Sequence, residues 1–185
     1  MGKVVVTGIG CISSIGKDTS TLWSSLMTGK SGVGPVRAFS TRNLDRHLGC
    51  ELPSDAGLRR LLRVGYGRAT AIGILGVRQA VHDAGLGSVS QGSLYVGTTM
   101  GEAYNGIIRG TSGHGSRAFG GNHRSVKQFP ISSISAEIAK FFRMAGQNLT
   151  IPTACAAGNY AIAYAMDQIR SGHVQIAVAG GTDAF

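Results

Sequence analysis

Apolar positions along the chain follow two rhythms. The segments "KVVVTG" (3–8), "SLYVGTT" (93–99), "NLTIPTA" (148–154) and "VQIAVAG" (174–180) are short runs rich in apolar and β-branched residues, the pattern of strands covered on both faces. Between them lie segments of helical period. "DTSTLWSSLMTG" sets Leu22 and Leu26, and Trp23 and Met27, four apart, which predicts a helix capped by Asp18 or Thr19 and ended by Gly29. "GRATAIGILGVRQAVHDAGL" (67–86) predicts a second helix stopped by Gly85, "ISSISAEIAKFF" (131–142) a third with Ser135 as cap, and residues 156–170 a fourth. Residues 31–57 mix Gly, Pro, Ser and Arg without a period and are expected to form a long loop; 110–128, rich in Gly, Ser and basic side chains, a surface loop. Alternating strands and helices predict an α/β fold whose largely parallel sheet is covered by helices.

The fourth helix, "AAGNYAIAYAMDQIR", changes this picture. From Ala156 to Met166 only Asn159 is strongly polar, so its first three turns offer no face to water. A helix apolar all round is buried on every side. One side belongs to the sheet; the other is expected to need a second layer.

Composition narrows the class. The chain has 185 residues, 43% of them hydrophobic and 15% charged, which fits one globular unit with a substantial core. No apolar run reaches the length of a membrane span, and the start "MGKVVVTG" lacks the long apolar region of a secretory signal, so a soluble, cytoplasmic protein is expected. Val6 stands where an N-myristoylation motif needs Ser or Thr. The three cysteines, Cys11, Cys50 and Cys155, are too scattered for a disulfide framework or a zinc cluster and read as free thiols; no metal site is expected. Eighteen basic against nine acidic residues give a net charge of +9, which favours an acidic partner. The basic residues are dispersed and lack aromatic interleaving, which argues against nucleic acid. "TGIGCISSIG" places its third glycine wrongly for a dinucleotide fingerprint.

Candidate chemistry centres on "LTIPTACAAGNY" (149–160). Cys155 ends a strand and begins a helix, where unpaired N–H groups and the positive end of the helix dipole favour an anion, and a thiolate is the nucleophilic form of cysteine. Ala154, Ala156, Ala157 and Gly158 leave room for a substrate, and the Cys155 N–H is placed to act as an oxyanion donor. The strand, turn and helix resemble the elbow on which α/β-hydrolases carry serine. A small buried thiol packing a helix terminus is an equally good reading of these residues alone.

The segment "IPTACAAGNYAIAYAMDQIRSGHVQIAVAGGTDAF" resembles the nucleophile region of the β-ketoacyl-[acyl carrier protein] synthases, condensing enzymes of the thiolase superfamily. The likeness continues in "VVVTGIGCISSIG", "AVHDAGL" and "VGTTMG", and so runs through nearly the whole chain in order; Ser14 departs from the proline common in the family's first glycine-rich turn. The resemblance implies a thiolase-like layered fold, a pseudo-duplicated α/β/α/β/α architecture of which residues 1–185 are the amino-terminal half. It implies that Cys155 accepts an acyl group from the phosphopantetheine thioester of acyl carrier protein and condenses it with malonyl-carrier protein by decarboxylative Claisen chemistry, in fatty-acid or polyketide synthesis. The chain itself would bind no cofactor, the phosphopantetheine arriving on its carrier.

In that family two histidines and a lysine of the carboxy-terminal half serve the carbanion step. None of His47, His82, His114, His123 and His173 matches such a position, and each reads as a surface or capping residue. A nucleophile without acid-base partners and a helix without its cover therefore have one expected solution: a complementary half or a full synthase subunit, in a homo- or heterodimer of the kind usual in the family, with the chain inactive alone. The resemblance also places Arg59, Arg60 and Arg63 where the family docks the acidic carrier, though an ordinary solvated charged face reads as well. It places Met100 at the acyl pocket, where core packing is the plainer reading of a methionine. The competing function is a non-catalytic or truncated subunit that binds carrier protein or pairs with a complete synthase.

Overall fold

A computed structural model describes residues 3–53, 55–102 and 131–184. The described elements, in order, are α1 (Thr19–Met27), β1 (Gly34–Pro35), β2 (Leu48–Gly49), α2 (Ala56–Arg63), α3 (Arg68–Asp83), β3 (Ser93–Gly97), α4 (Ser133–Phe141), β4 (Asn148–Ile151), α5 (Ala157–Arg170) and β5 (Ala177–Gly181). The expected surface loop at 110–128, with His114 and His123, lies outside the described residues.

Among the described residues three parallel strands form the larger sheet in the order β4, β3, β5, with Gly97 opposite Ile151 on one side and Gly181 on the other. β3 is buried throughout, as its continuous apolar pattern predicts. Its alternate side chains build two cores. Leu94 and Val96 join Ile74 of α3 and Ile134 and Ile138 of α4, with Leu58 and Leu61 of α2 packed outside them. Tyr95 points the other way, against Ala161 and Ala165 of α5, where its ring meets Tyr164 edge-on at 5.1 Å. The sheet thus has a helix layer on each face.

All five helices among the described residues end in one way. The residue after the C-cap is left-handed, and the next N–H reaches back to the last turn: Lys30 to Ser25, Tyr66 to Leu61, Leu86 to Val81, Met144 to Ala139 and His173 to Gln168. Four of these left-handed residues are Gly29, Gly65, Gly85 and Gly172; the fifth is Arg143, at φ 54°. Asp18 caps α1 as expected: its carboxylate accepts the Thr21 N–H, and its own N–H donates in return to Thr21 Oγ1. Ser135 does not cap α4; it lies buried inside the helix and accepts a bond from Thr150 Oγ1 at 2.8 Å, and the N-cap is Ser132.

Two further expectations are corrected. The loop predicted over 31–57 contains the β1–β2 ladder, and α2, capped by Asp55, begins at its end. Residues 3–8 join no ladder among the described residues. That segment instead leads into a close approach to α3: the Ile9 and Cys11 N–H groups donate to Asp83 and Gln79, and Gly8 and Gly10 press on the backbone around Gly76, Ala80 and Ala84 so closely that no Cβ fits. For its part, α1 buries only Ser25, while Trp23, Leu26 and Met27 face outward.

The outer side of α5 is open. Ala157, Ala161 and Ala165 are buried on the sheet, yet Tyr160 and Ile162 are 58% and 52% exposed. Within the described residues the all-apolar helix is therefore covered on its sheet side alone. No helix among the described residues is long and apolar enough to cross a membrane.

Candidate functional site

The carboxyl ends of β3, β4 and β5 converge on the start of α5. β4 ends at Ile151, and Pro152 and Thr153 lead into a single 3-10 turn, Ala154–Ala156, that runs directly into α5. Ala154 holds a left-handed φ of 50°, a conformation costing a non-glycine residue about 1–2 kcal/mol. Cys155 therefore does not end the strand as expected but stands four residues beyond it, in the turn, with the unusual backbone one residue before the cysteine. Cys155 is exposed.

The turn's own hydrogen bonds run from the Ala156 N–H to the Thr153 carbonyl and from the Ala157 N–H to the Ala154 carbonyl; the Cys155 N–H is not among them. No side chain caps α5 and no acidic residue stands in its first turn, so nothing within the helix itself opposes the positive end of its dipole. The geometry suits an incoming carbonyl that must develop negative charge beside a sulfur.

The three thiols differ. Cys50 is exposed like Cys155, whereas Cys11 is half-buried and burial pushes its thiol up, with the Asp18 carboxylate adding to the effect. Accessibility therefore separates Cys155 from Cys11 but not from Cys50.

Met100 stands in the turn after β3, 46% exposed, with its N–H held by Asp183 Oδ1 at 2.8 Å. Asp183 follows β5 and also accepts from Thr98 Oγ1 and the Thr99 N–H. The ends of β3 and β5 meet the start of α5 at glycines: no Cβ at Gly97 clears the Ala157 carbonyl, and one at Gly158 would sit 3.6 Å from the Gly181 nitrogen. Nearby, Glu102 is buried and takes the Thr70 N–H and hydroxyl, each at 2.7 Å, capping α3 in place of its N-cap Gly67. Neither Asp183 nor Glu102 stands out in the sequence, because each partners backbone far away along the chain.

Arg59, Arg60 and Arg63 lie on α2 itself, exposed on the side opposite Leu58 and Leu61. The described histidines do not gather at Cys155. His47 bonds Thr41 in a loop, and His82 is in the last turn of α3. His173, bonded to Ser171, lies beyond the far end of α5, a helix of 14 residues and hence about 21 Å long.

Comparison with known proteins places this arrangement. The family model described as Beta-ketoacyl synthase, N-terminal domain, matches residues 1–185. The 3-oxoacyl-[acyl-carrier-protein] synthase 1 of Haemophilus influenzae is 31% identical over 191 residues, covering 99% of the chain and 47% of the relative. Nodulation protein E of Rhizobium meliloti (strain 1021) is 28% identical, covering 98% of the chain and 47% of the relative. Among solved structures, the ishigamide ketosynthase/chain length factor superposes with a TM-score of 0.80 at 33% identity, over 98% of this chain and 47% of that one. The chain spans about half the length of these relatives.

Proposed function

The chain belongs to the family of the β-ketoacyl synthase amino-terminal domain, with its thiolase-like α/β fold, and from that premise we propose that Cys155 is the acyl-accepting nucleophile of a condensing enzyme completed by a further half or subunit. The observation that carries this reading is Cys155 itself: exposed, and seated in a turn that opens an uncapped helix.

In the proposed reaction the Cys155 sulfur attacks the thioester carbonyl of an acyl group borne by acyl carrier protein. A new C–S bond forms, the bond to the phosphopantetheine sulfur breaks, and that sulfur leaves with the proton given up by Cys155. The Cys155 N–H and the first turn of α5 stabilise the oxyanion on the way. Malonyl-carrier protein then loses carbon dioxide, its carbanion attacks the acyl carbonyl, and Cys155 is released as the new C–C bond closes. Acid-base groups for that second step belong to the complementary part. Exposed apolar residues support such a companion: Tyr160 and Ile162 on α5, and Trp23, Leu26 and Met27 on α1.

In this reading Met100 lines the acyl pocket and Arg59, Arg60 and Arg63 dock the acidic carrier. The alternative is a subunit that binds carrier or pairs with a synthase without catalysing. The ishigamide structure, a ketosynthase/chain length factor, gives that reading its relevance, and the retained Cys155 favours the catalytic one. Alkylation with iodoacetamide near neutral pH, followed by peptide mapping, tests it: Cys155 reacts ahead of the equally accessible Cys50 if it is the nucleophile. Equal labelling of the two removes the basis of the proposal.

A further inference from the structure

We propose that Asp183 is a positioning residue that fixes where Met100 stands and thereby which acyl chain lengths Cys155 accepts; the second half of this statement rests on the roles given above to Met100 and Cys155. Asp183 and Met100 follow neighbouring parallel strands whose last residues, Gly181 and Gly97, are in register. Beyond that register the Thr182 N–H donates to the Gly97 carbonyl at 3.0 Å, and Thr182 Oγ1 donates to the Ala69 carbonyl at 2.7 Å. The backbone carrying Asp183 is thus tied on both sides.

Around its carboxylate the next turn of chain is wound. Oδ1 accepts from Thr98 Oγ1 and the Met100 N–H, each at 2.8 Å, and Oδ2 accepts from the Thr99 N–H at 2.9 Å. Thr98 Oγ1 in turn accepts the Gly101 N–H at 3.0 Å, and Gly101 takes the left-handed φ of 60° that closes the turn. Successive N–H groups aimed at one anion make a nest, here filled from within the protein. Methionine is the most adaptable of apolar side chains, so the reach of Met100 is set by its backbone, and that backbone is set by Asp183. Both carboxylate oxygens meet donors. An amide in their place turns an NH₂ group toward an N–H or O–H, a contact no rotation of the amide removes.

Asp183→Asn in the intact protein is the test, read in two ways. Hydrogen exchange at the Thr99 and Met100 amides is expected to speed at least ~10-fold, the low end of the worth of one hydrogen bond to a charged acceptor, while the Leu94–Val96 amides keep their protection. Acylation of Cys155 by short and long acyl-pantetheine thioesters is expected to change in ratio, again by about 10-fold, whereas a merely structural loss lowers both rates together. Unchanged exchange at Met100 overturns the proposal, and so does faster exchange with an unaltered acyl ratio. A wild-type protein that takes no acyl group at Cys155 defeats the reading of Cys155 and the selectivity claim with it, and the exchange rates then decide the positioning claim alone.

Discussion

Gly97 and Ala157 touch backbone to backbone: the end of the central strand lies so close to the first residue of α5 that no side-chain carbon fits between them. This contact fixes the height of the helix on the sheet, and with it the turn holding Cys155 two residues earlier. Gly97→Ala therefore forces strand and helix apart. We expect a loss of about 1–3 kcal/mol, the usual cost of overpacking, measured by urea denaturation, together with a loss of acylation at Cys155 larger than that stability change explains.

Arg143 is the odd member of a set of five. At the other four helix ends among the described residues the left-handed residue is glycine, and here a side chain bears the strain. Arg143→Gly is expected to stabilise the protein by roughly 0.5–1 kcal/mol, less than the full left-handed penalty because glycine also gains freedom in the unfolded chain. An upward shift of the urea midpoint with an unaltered slope checks it.

Acid should weaken the amino-terminal region through two carboxyl groups. Hydrogen bonds from the Thr21 backbone and side chain hold the Asp18 carboxyl below its ordinary range, and bonds from the Ala38 and Arg37 N–H groups do the same for Glu51. Each lowered pKa contributes stability that is complete above the unfolded values, about 3.9 for Asp and 4.3 for Glu, and is lost as pH falls through the folded ones. Thermal midpoints measured across this range should fall less for Asp18→Ala than for the wild type.

Charge on α2 carries a separate expectation. Arg59 and Arg63 are exposed, outside the core formed with Leu58 and Leu61. Reversing both to Glu should weaken binding of acyl carrier protein by roughly 10-fold or more at low salt, with the difference shrinking as salt rises, as measured by titration calorimetry. An ordinary solvated face leaves the affinity unchanged.

What the sequence disclosed, and what it did not, follows physical lines. β3 and α3 were legible because five buried strand residues and a long helical period leave one interpretation each. Gly29, Gly85 and Gly172 mark helix ends because only a left-handed residue completes that closure. α2 escaped because eight residues with three arginines look like a charged loop until Leu58, Leu61 and Leu62 are read as one face. Strand propensity in residues 3–8 named a conformation but not a partner, and the neighbouring backbone bonds went to side chains of α3. At the candidate site Cys155 and its alanine-rich surroundings were visible. Asp183 was not, since its partners lie more than 80 residues back and nothing local distinguishes a carboxylate that holds a turn from one that faces water.

The most direct test offers the intact protein an acyl group on acyl carrier protein and locates it afterwards by peptide mass spectrometry. Acyl thioester on the peptide carrying Cys155, and its loss in Cys155→Ala with Cys11 and Cys50 untouched, is the predicted result. An acyl group found equally on Cys50, or persisting in Cys155→Ala, would contradict the assignment.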